Sequence, residues 1–98
     1  MSVKPNGLTP TLANVAASAS SVALFASNPQ AVGRIIVNDS AAVLYVKYGT
    51  AASATSYSVR LDAGAQYEFP QYQGRIHTGA VEGIWASATG AARTTEMV

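Results

Sequence analysis

The sequence predicts an all-β protein, a single β-sandwich or jelly-roll-like domain with an extended N-terminal arm. Short segments alternate apolar and polar residues with period two. Turn-forming residues recur about every 8 to 12 residues. Helical periodicity is weak throughout. With 98 residues the chain holds one core, because so short a chain rarely builds two. The division is residues 1–12 for the arm and 13–98 for the sandwich, with about seven to nine strands.

The arm is read from Pro5, Asn6, Gly7 and Pro10, which break regular structure, and from its low apolar content before Leu12. Proline removes a ladder donor, so the arm is expected to stay out of the sheets. Val3, Leu8 and Leu12 would then offer apolar contacts to a neighbour, and Lys4 a charge. The stretch Leu12 to Ser20 is rich in alanine, yet its serines and its Val-Ala-Leu-Phe continuation favour extended structure over the helix that alanine alone would suggest.

Strands follow in order. Ser21 to Ala26 is the first. Val32 to Val37 and Ala41 to Tyr48 are apolar on both faces, with Asn38-Asp39-Ser40 as the turn between them. Strands of that kind lie beneath a second sheet or a neighbouring subunit. Tyr57, Val59 and Leu61 alternate with polar residues, as do Ala65, Tyr67 and Phe69. Gly64 between them suggests a hairpin with one wet face. Arg75 to His77, Glu82 to Ala88 and Ala92 to Met97 complete the set, with Thr89-Gly90 turning between the last two. The expected core is Ile35, Val37, Leu44, Val46, Val59, Leu61, Tyr67, Phe69 and Ile84.

Composition limits function. Charged residues are 11% of the chain, and the formal net charge is +1. An ordinary soluble domain carries about a quarter. Alanine, serine and threonine supply 37 of the 98 residues. Such a surface costs little to desolvate against partners, and it gives no electrostatic drive toward nucleic acid. There is no cysteine, which excludes disulfides, thiolate metal sites and a cysteine nucleophile. The longest strongly apolar run, Ala41 to Val46, is far below the roughly 20 residues that span a bilayer. The N-terminus lacks a secretory h-region. A soluble protein without membrane contact is expected.

No pattern marks chemistry. His77 is the sole histidine, and no Gly-x-Ser-x-Gly elbow marks an activated serine. It reads as a rim or hydrogen-bonding histidine. Asp39, Asp62, Glu68, Glu82 and Glu96 sit singly in their segments, without the pairing of a glycosidase or the dense oxygen loop of a calcium site. No glycine-rich loop precedes a Lys-Ser or Lys-Thr pair. No catalytic, metal-binding or cofactor-binding residue is expected, and the protein reads as no enzyme. Tyr57, Tyr67 and Phe69 fall on the apolar faces of their strands and read as core. Tyr45 and Lys47 share the face opposite Leu44 and Val46, which makes them candidates for a contact surface. Tyr72, in the Gln71-Tyr72-Gln73-Gly74 loop, is the next. A glycan-binding surface would need such aromatics beside polar side chains.

Several phrases together carry a resemblance. They are Asn38-Asp39-Ser40, Val43-Leu44-Tyr45-Val46-Lys47-Tyr48-Gly49 and Ala52-Ser53, then Leu61, Gly64 and Tyr67-Glu68-Phe69-Pro70. The run from Gly83 through Trp85 to Glu96 closes the series. Over residues 12–97 the chain resembles small accessory virion proteins of tailed bacteriophages. The resemblance implies a head decoration or cement protein on the capsid shell. A neck, tail or fibre accessory is the alternative, as is a glycan-binding module for host attachment. It implies no catalytic residues. Its partners would be other copies of the chain, a trimer by the decoration-protein analogy, and the major capsid protein. The protein would reside in the virion, after assembly in the host cytoplasm.

Overall fold

The computed structural model describes residues 8–98. They form eight strands: β1 (Pro10–Ala16), β2 (Val22–Phe25), β3 (Gly33–Asp39), β4 (Leu44–Tyr48), β5 (Val59–Leu61), β6 (Gln66–Glu68), β7 (Val81–Trp85) and β8 (Ala91–Met97). Two four-stranded sheets run in the orders β1-β8-β3-β6 and β2-β7-β4-β5. Every pairing is antiparallel, and the pairs nest: β1 with β8, β2 with β7, β3 with β6, and β4 with β5. The chain is thus one long ribbon folded on itself and rolled up. The added pairs β8–β3 and β7–β4 close each sheet. This is the eight-stranded jelly roll, the more specific of the two architectures expected from the sequence.

The core lies between the sheets. Leu44 and Val46 of β4, Leu61 of β5, and Val81 and Trp85 of β7 face Ile36 of β3 and Ala92 of β8. Leu24, Phe25, Phe69 and Ile76 fill the ends. Gly83 supplies a close approach on the inner face of β7. A Cβ there would meet a Leu24 methyl at 2.8 Å and a Leu44 methyl at 3.0 Å, so glycine lets both leucines close over the strand.

Several expectations are corrected. Segments 57–62 and 65–69 do not form a hairpin: β5 pairs with β4 and β6 with β3, in different sheets. Gly64 does turn the chain, with φ at 78°. However, its N–H donates to the Asn38 carbonyl, and the chain crosses from one sheet to the other. Arg75 to His77 is no strand. Arg75 forms an isolated bridge to Tyr72, and Ile76 drops into the core. Asn38 and Asp39 end β3 rather than forming a turn.

The inner face of β3 carries Arg34, Ile36 and Asn38, all fully buried, while Ile35 and Val37 are half-buried on the outside. Polar groups are admitted there because each finds partners, described below. Leu44, Val46, Leu61 and Phe69 are buried as expected, and Val59 and Tyr67 are half-buried against the core. Ile84 opposes Tyr45 on the outside of its sheet.

The arm also ends earlier than expected. Thr9 exchanges two backbone hydrogen bonds with Val98, and Pro10 to Leu12 already belong to β1. Pro10 is admitted because it opens the strand and its missing N–H falls on the unpaired edge. Val3 and Lys4 lie outside the described residues.

Candidate functional site

Directly opposed residues in adjacent antiparallel strands share a face, so the registers define each outer surface. On the β1-β8-β3-β6 sheet, Leu12, Thr95, Ile35 and Glu68 form one outward row. Asn14, Arg93, Val37 and Gln66 form the next, and Pro10, Met97 and Gly33 a third. Leu12 is 72% exposed. Arg93 is neutralised by Asp39, with Nε 3.0 Å and Nη2 2.9 Å from Oδ2. Apolar side chains alternate with polar ones across these rows, and the charges are few: Arg93 with Asp39, and Glu68.

The opposite outer surface is different in kind. Tyr45 lies between Ile84 and Arg60, and Lys47 opposes Glu82. Tyr57, expected in the core, is exposed and tilted against Tyr45 with ring centroids 4.9 Å apart. Tyr57 precedes β5, whose pairing with β4 starts with Val59 opposite Val46, so the alternation that buries Leu61 does not extend back to it. Glu82 accepts hydrogen bonds from the Ser21 hydroxyl at 2.7 Å and the Ala51 N–H at 2.9 Å. These bonds hold its carboxyl below the usual carboxylate range. They also draw the loop after β4 onto the sheet.

The candidate contact residues among those described, Leu8, Leu12, Tyr45, Lys47 and Tyr72, therefore do not form one site. Tyr45 and Lys47 share a face, as the alternation implied. Leu12 belongs to the other sheet, and Leu8 lies exposed ahead of it. Tyr72 is 68% exposed on the turn closed by Arg75.

Two polar knots in the interior escaped sequence reasoning. The Arg34 guanidinium donates through Nε to Glu96 at 2.8 Å and through Nη1 and Nη2 to the carbonyls of Ala26, His77, Thr78 and Gly79. It also lies over the Phe25 ring, 4.8 Å from the centroid. Glu96 in turn accepts from the Asn28 amide. One side chain thus pins two loops to the sheet. Asn38 donates to the carbonyls of Ala42, Leu61 and Asp62 and accepts from Trp85 Nε1 and the Ser40 hydroxyl. Nothing local marks these residues, because their partners lie as far as 62 residues away.

Near the first knot, His77 stacks on Tyr48 with centroids 4.8 Å apart and ring planes 6° apart, and its Nε2 lies 3.2 Å from the Ala80 carbonyl. The Tyr48 and Tyr67 hydroxyls are hydrogen-bonded. Burial, then that bond, raises the Tyr48 phenol well above the ordinary tyrosine range. This is aromatic packing rather than an oriented base beside a nucleophile. Two adjoining clefts of about 410 and 270 Å³ open between the pinned loops and share Val32, Gln71 and Ile76. Among the described residues, no three His, Asp or Glu side chains gather as metal ligands would. No family model, curated protein or solved structure matches the chain.

Proposed function

We propose that the protein is a non-enzymatic structural component of a phage virion, a head decoration protein that binds the major capsid protein and other copies of itself. The observation that carries this reading is the outer face of the β1-β8-β3-β6 sheet. There Leu12, Ile35, Val37 and Met97 point outward from strands of which Arg93, its ion-pair partner Asp39 and Glu68 supply the outward charges. A surface of that composition is inexpensive to desolvate. Repeated over a symmetric lattice, modest contacts sum to firm attachment. The jelly roll supports the reading as an architecture common in viral shells, although one architecture hosts many functions. Residues 12–97 add the resemblance to accessory virion proteins. Cryo-electron microscopy of purified particles tests it. Density for this fold on the capsid lattice is the expected result. Density at the neck, tail or fibres would reassign the protein to an accessory role there, and its absence from particles would overturn the proposal.

The other outer face favours a second reading, a glycan-binding module for host attachment. The pair of half-buried Tyr45 and exposed Tyr57, with Arg60 and Lys47 beside it, offers ring faces and polar donors together. A glycan array with wild-type protein and Tyr57→Ala separates the two readings: binding lost on substitution supports the second.

A further inference from the structure

We infer that β1 is a self-pairing edge, through which two copies of the chain join their β1-β8-β3-β6 sheets into one continuous antiparallel sheet. The inference rests on the geometry of this edge and stands independently of the virion reading.

An edge strand exposes unpaired N–H and C=O groups, and proteins blunt such edges by shortening, charging or bulging them. Among the described residues four strands are edges: β1 and β6 in one sheet, β2 and β5 in the other. Three are blunted. β6 has three residues and carries Glu68, and β5 has three and carries Arg60. β2 has four, with a register break between Ala23 and Phe25. β1 has seven residues, no charge, and an unbroken register from Pro10 to Ala16.

The direction of its free groups follows from its bonded ones. Thr9 and Val98 exchange hydrogen bonds, and Ala17 donates to Gly90. In an antiparallel ladder, bonded and non-bonded pairs alternate. Thr11, Ala13 and Val15 therefore point their backbone groups at β8. Leu12, Asn14 and Ala16 point theirs at the open edge, as does Pro10, which has only a carbonyl to offer.

This set is complementary to itself. With Asn14 opposite Asn14 of the partner subunit on a two-fold axis, Leu12 opposes Ala16 of the partner subunit. Every N–H and C=O of these residues then finds a partner, and Pro10 falls just beyond the paired stretch. The side chains agree with that register. Leu12 meets a small alanine, the two Asn14 amides can pair, and no like charges are brought together, since Arg93 beside Asn14 is held by Asp39. An isologous contact of this kind makes two copies, where analogy with decoration proteins suggests three.

The test uses the full chain as wild type, Asn14→Lys and Asn14→Asp, with light scattering during size exclusion. Asn14 is exposed, so at a concentration where wild type is also single both variants should unfold at the wild-type temperature. Wild type is expected at twice the mass of the 10.1 kDa chain, each variant alone at the single-chain mass, and their equimolar mixture again at twice. The amides of Leu12, Asn14 and Ala16 should gain hydrogen-exchange protection as wild-type concentration rises. A wild type that stays single, an oligomer indifferent to both substitutions, or a mixture that fails to re-form the pair would each overturn the inference.

Discussion

β1 and β3 flank the same strand, β8, and pair with it over seven residues each, yet their fates are opposite. Every second residue of β3 is buried, and two of those three are Arg34 and Asn38. β1 is exposed along almost its whole length, although it carries Leu12 and Val15. Hydrophobicity alone would not have sorted them this way. Position in the roll did. β3 is an inner strand whose inward side chains meet loop carbonyls from both ends of the sandwich, and β1 is a rim with one neighbour. A polar group is acceptable at a centre that supplies all its partners, and an apolar one is cheap at a rim that another molecule can cover.

If that contrast is right, the largest loss of stability comes from Arg34. Arg34→Met keeps the side-chain length but leaves Glu96 without its cation and four carbonyls without their donor. We expect a cost of about 3 kcal/mol or more, a large part of the roughly 5–15 kcal/mol that holds an ordinary domain together. Denaturant unfolding measures it, and a loss within experimental error would show the knot to be ornamental. Asn38→Leu should cost less, about 1–3 kcal/mol, because its partners are neutral. The orphaned Trp85 N–H is part of that cost. In Asn38→Leu/Trp85→Phe the orphan is gone, so the double variant should lose less than the sum of the singles.

These two residues also mark where the sequence stopped being legible. Alternation placed Leu44, Val46 and Leu61 in the core and sent Tyr45 and Lys47 outward, because a half-buried strand writes its faces into local order. On β3 the same reasoning chose Ile35 and Val37 for the core, since the partners that admit Arg34 are Glu96 and loop carbonyls far along the chain. The Gly64 turn was legible, but its destination was not. A turn residue fixes φ locally, whether the next strand pairs back or crosses to the other sheet, and here Asn38 decides by binding the Leu61 and Asp62 carbonyls. For the candidate surfaces, the outward face of β4 could be read directly. The open edge of β1 could not, because it depends on which strand β8 leaves unpartnered.

A smaller effect contrasts an exposed charge with the buried one. The hydrogen bonds from Ser21 and Ala51 depress the Glu82 carboxyl relative to the unfolded chain. A depressed carboxyl stabilises the fold above its unfolded value, about 4.3, and the contribution fades as pH falls through the lower folded value. Glu82→Gln should therefore melt slightly below wild type at neutral pH and converge with it in acid. Thermal melts across that range check the sign. Because the group is solvent-exposed, the gap should remain far smaller than that of Arg34→Met, and a comparable gap would erase the distinction between the two settings.

The smallest effect on folding belongs to the rim itself. Leu12 is 72% exposed in the single chain, so Leu12→Ala removes little buried surface. It should shift unfolding by no more than about 0.5 kcal/mol, even though the same substitution in a core costs about 2–5 kcal/mol. The consequence moves elsewhere. In the paired edge Leu12 lies against Ala16 of the partner subunit, so the substitution should weaken self-association while the isolated chain unfolds as before. Sedimentation equilibrium for the dissociation constant, set beside denaturant unfolding at a concentration where the chain is single, separates the two quantities. A Leu12→Ala protein that unfolds early would place β1 with β3 as part of the fold's own support. One that folds and pairs like wild type would leave Leu12 a solvent-facing residue with no partner to meet.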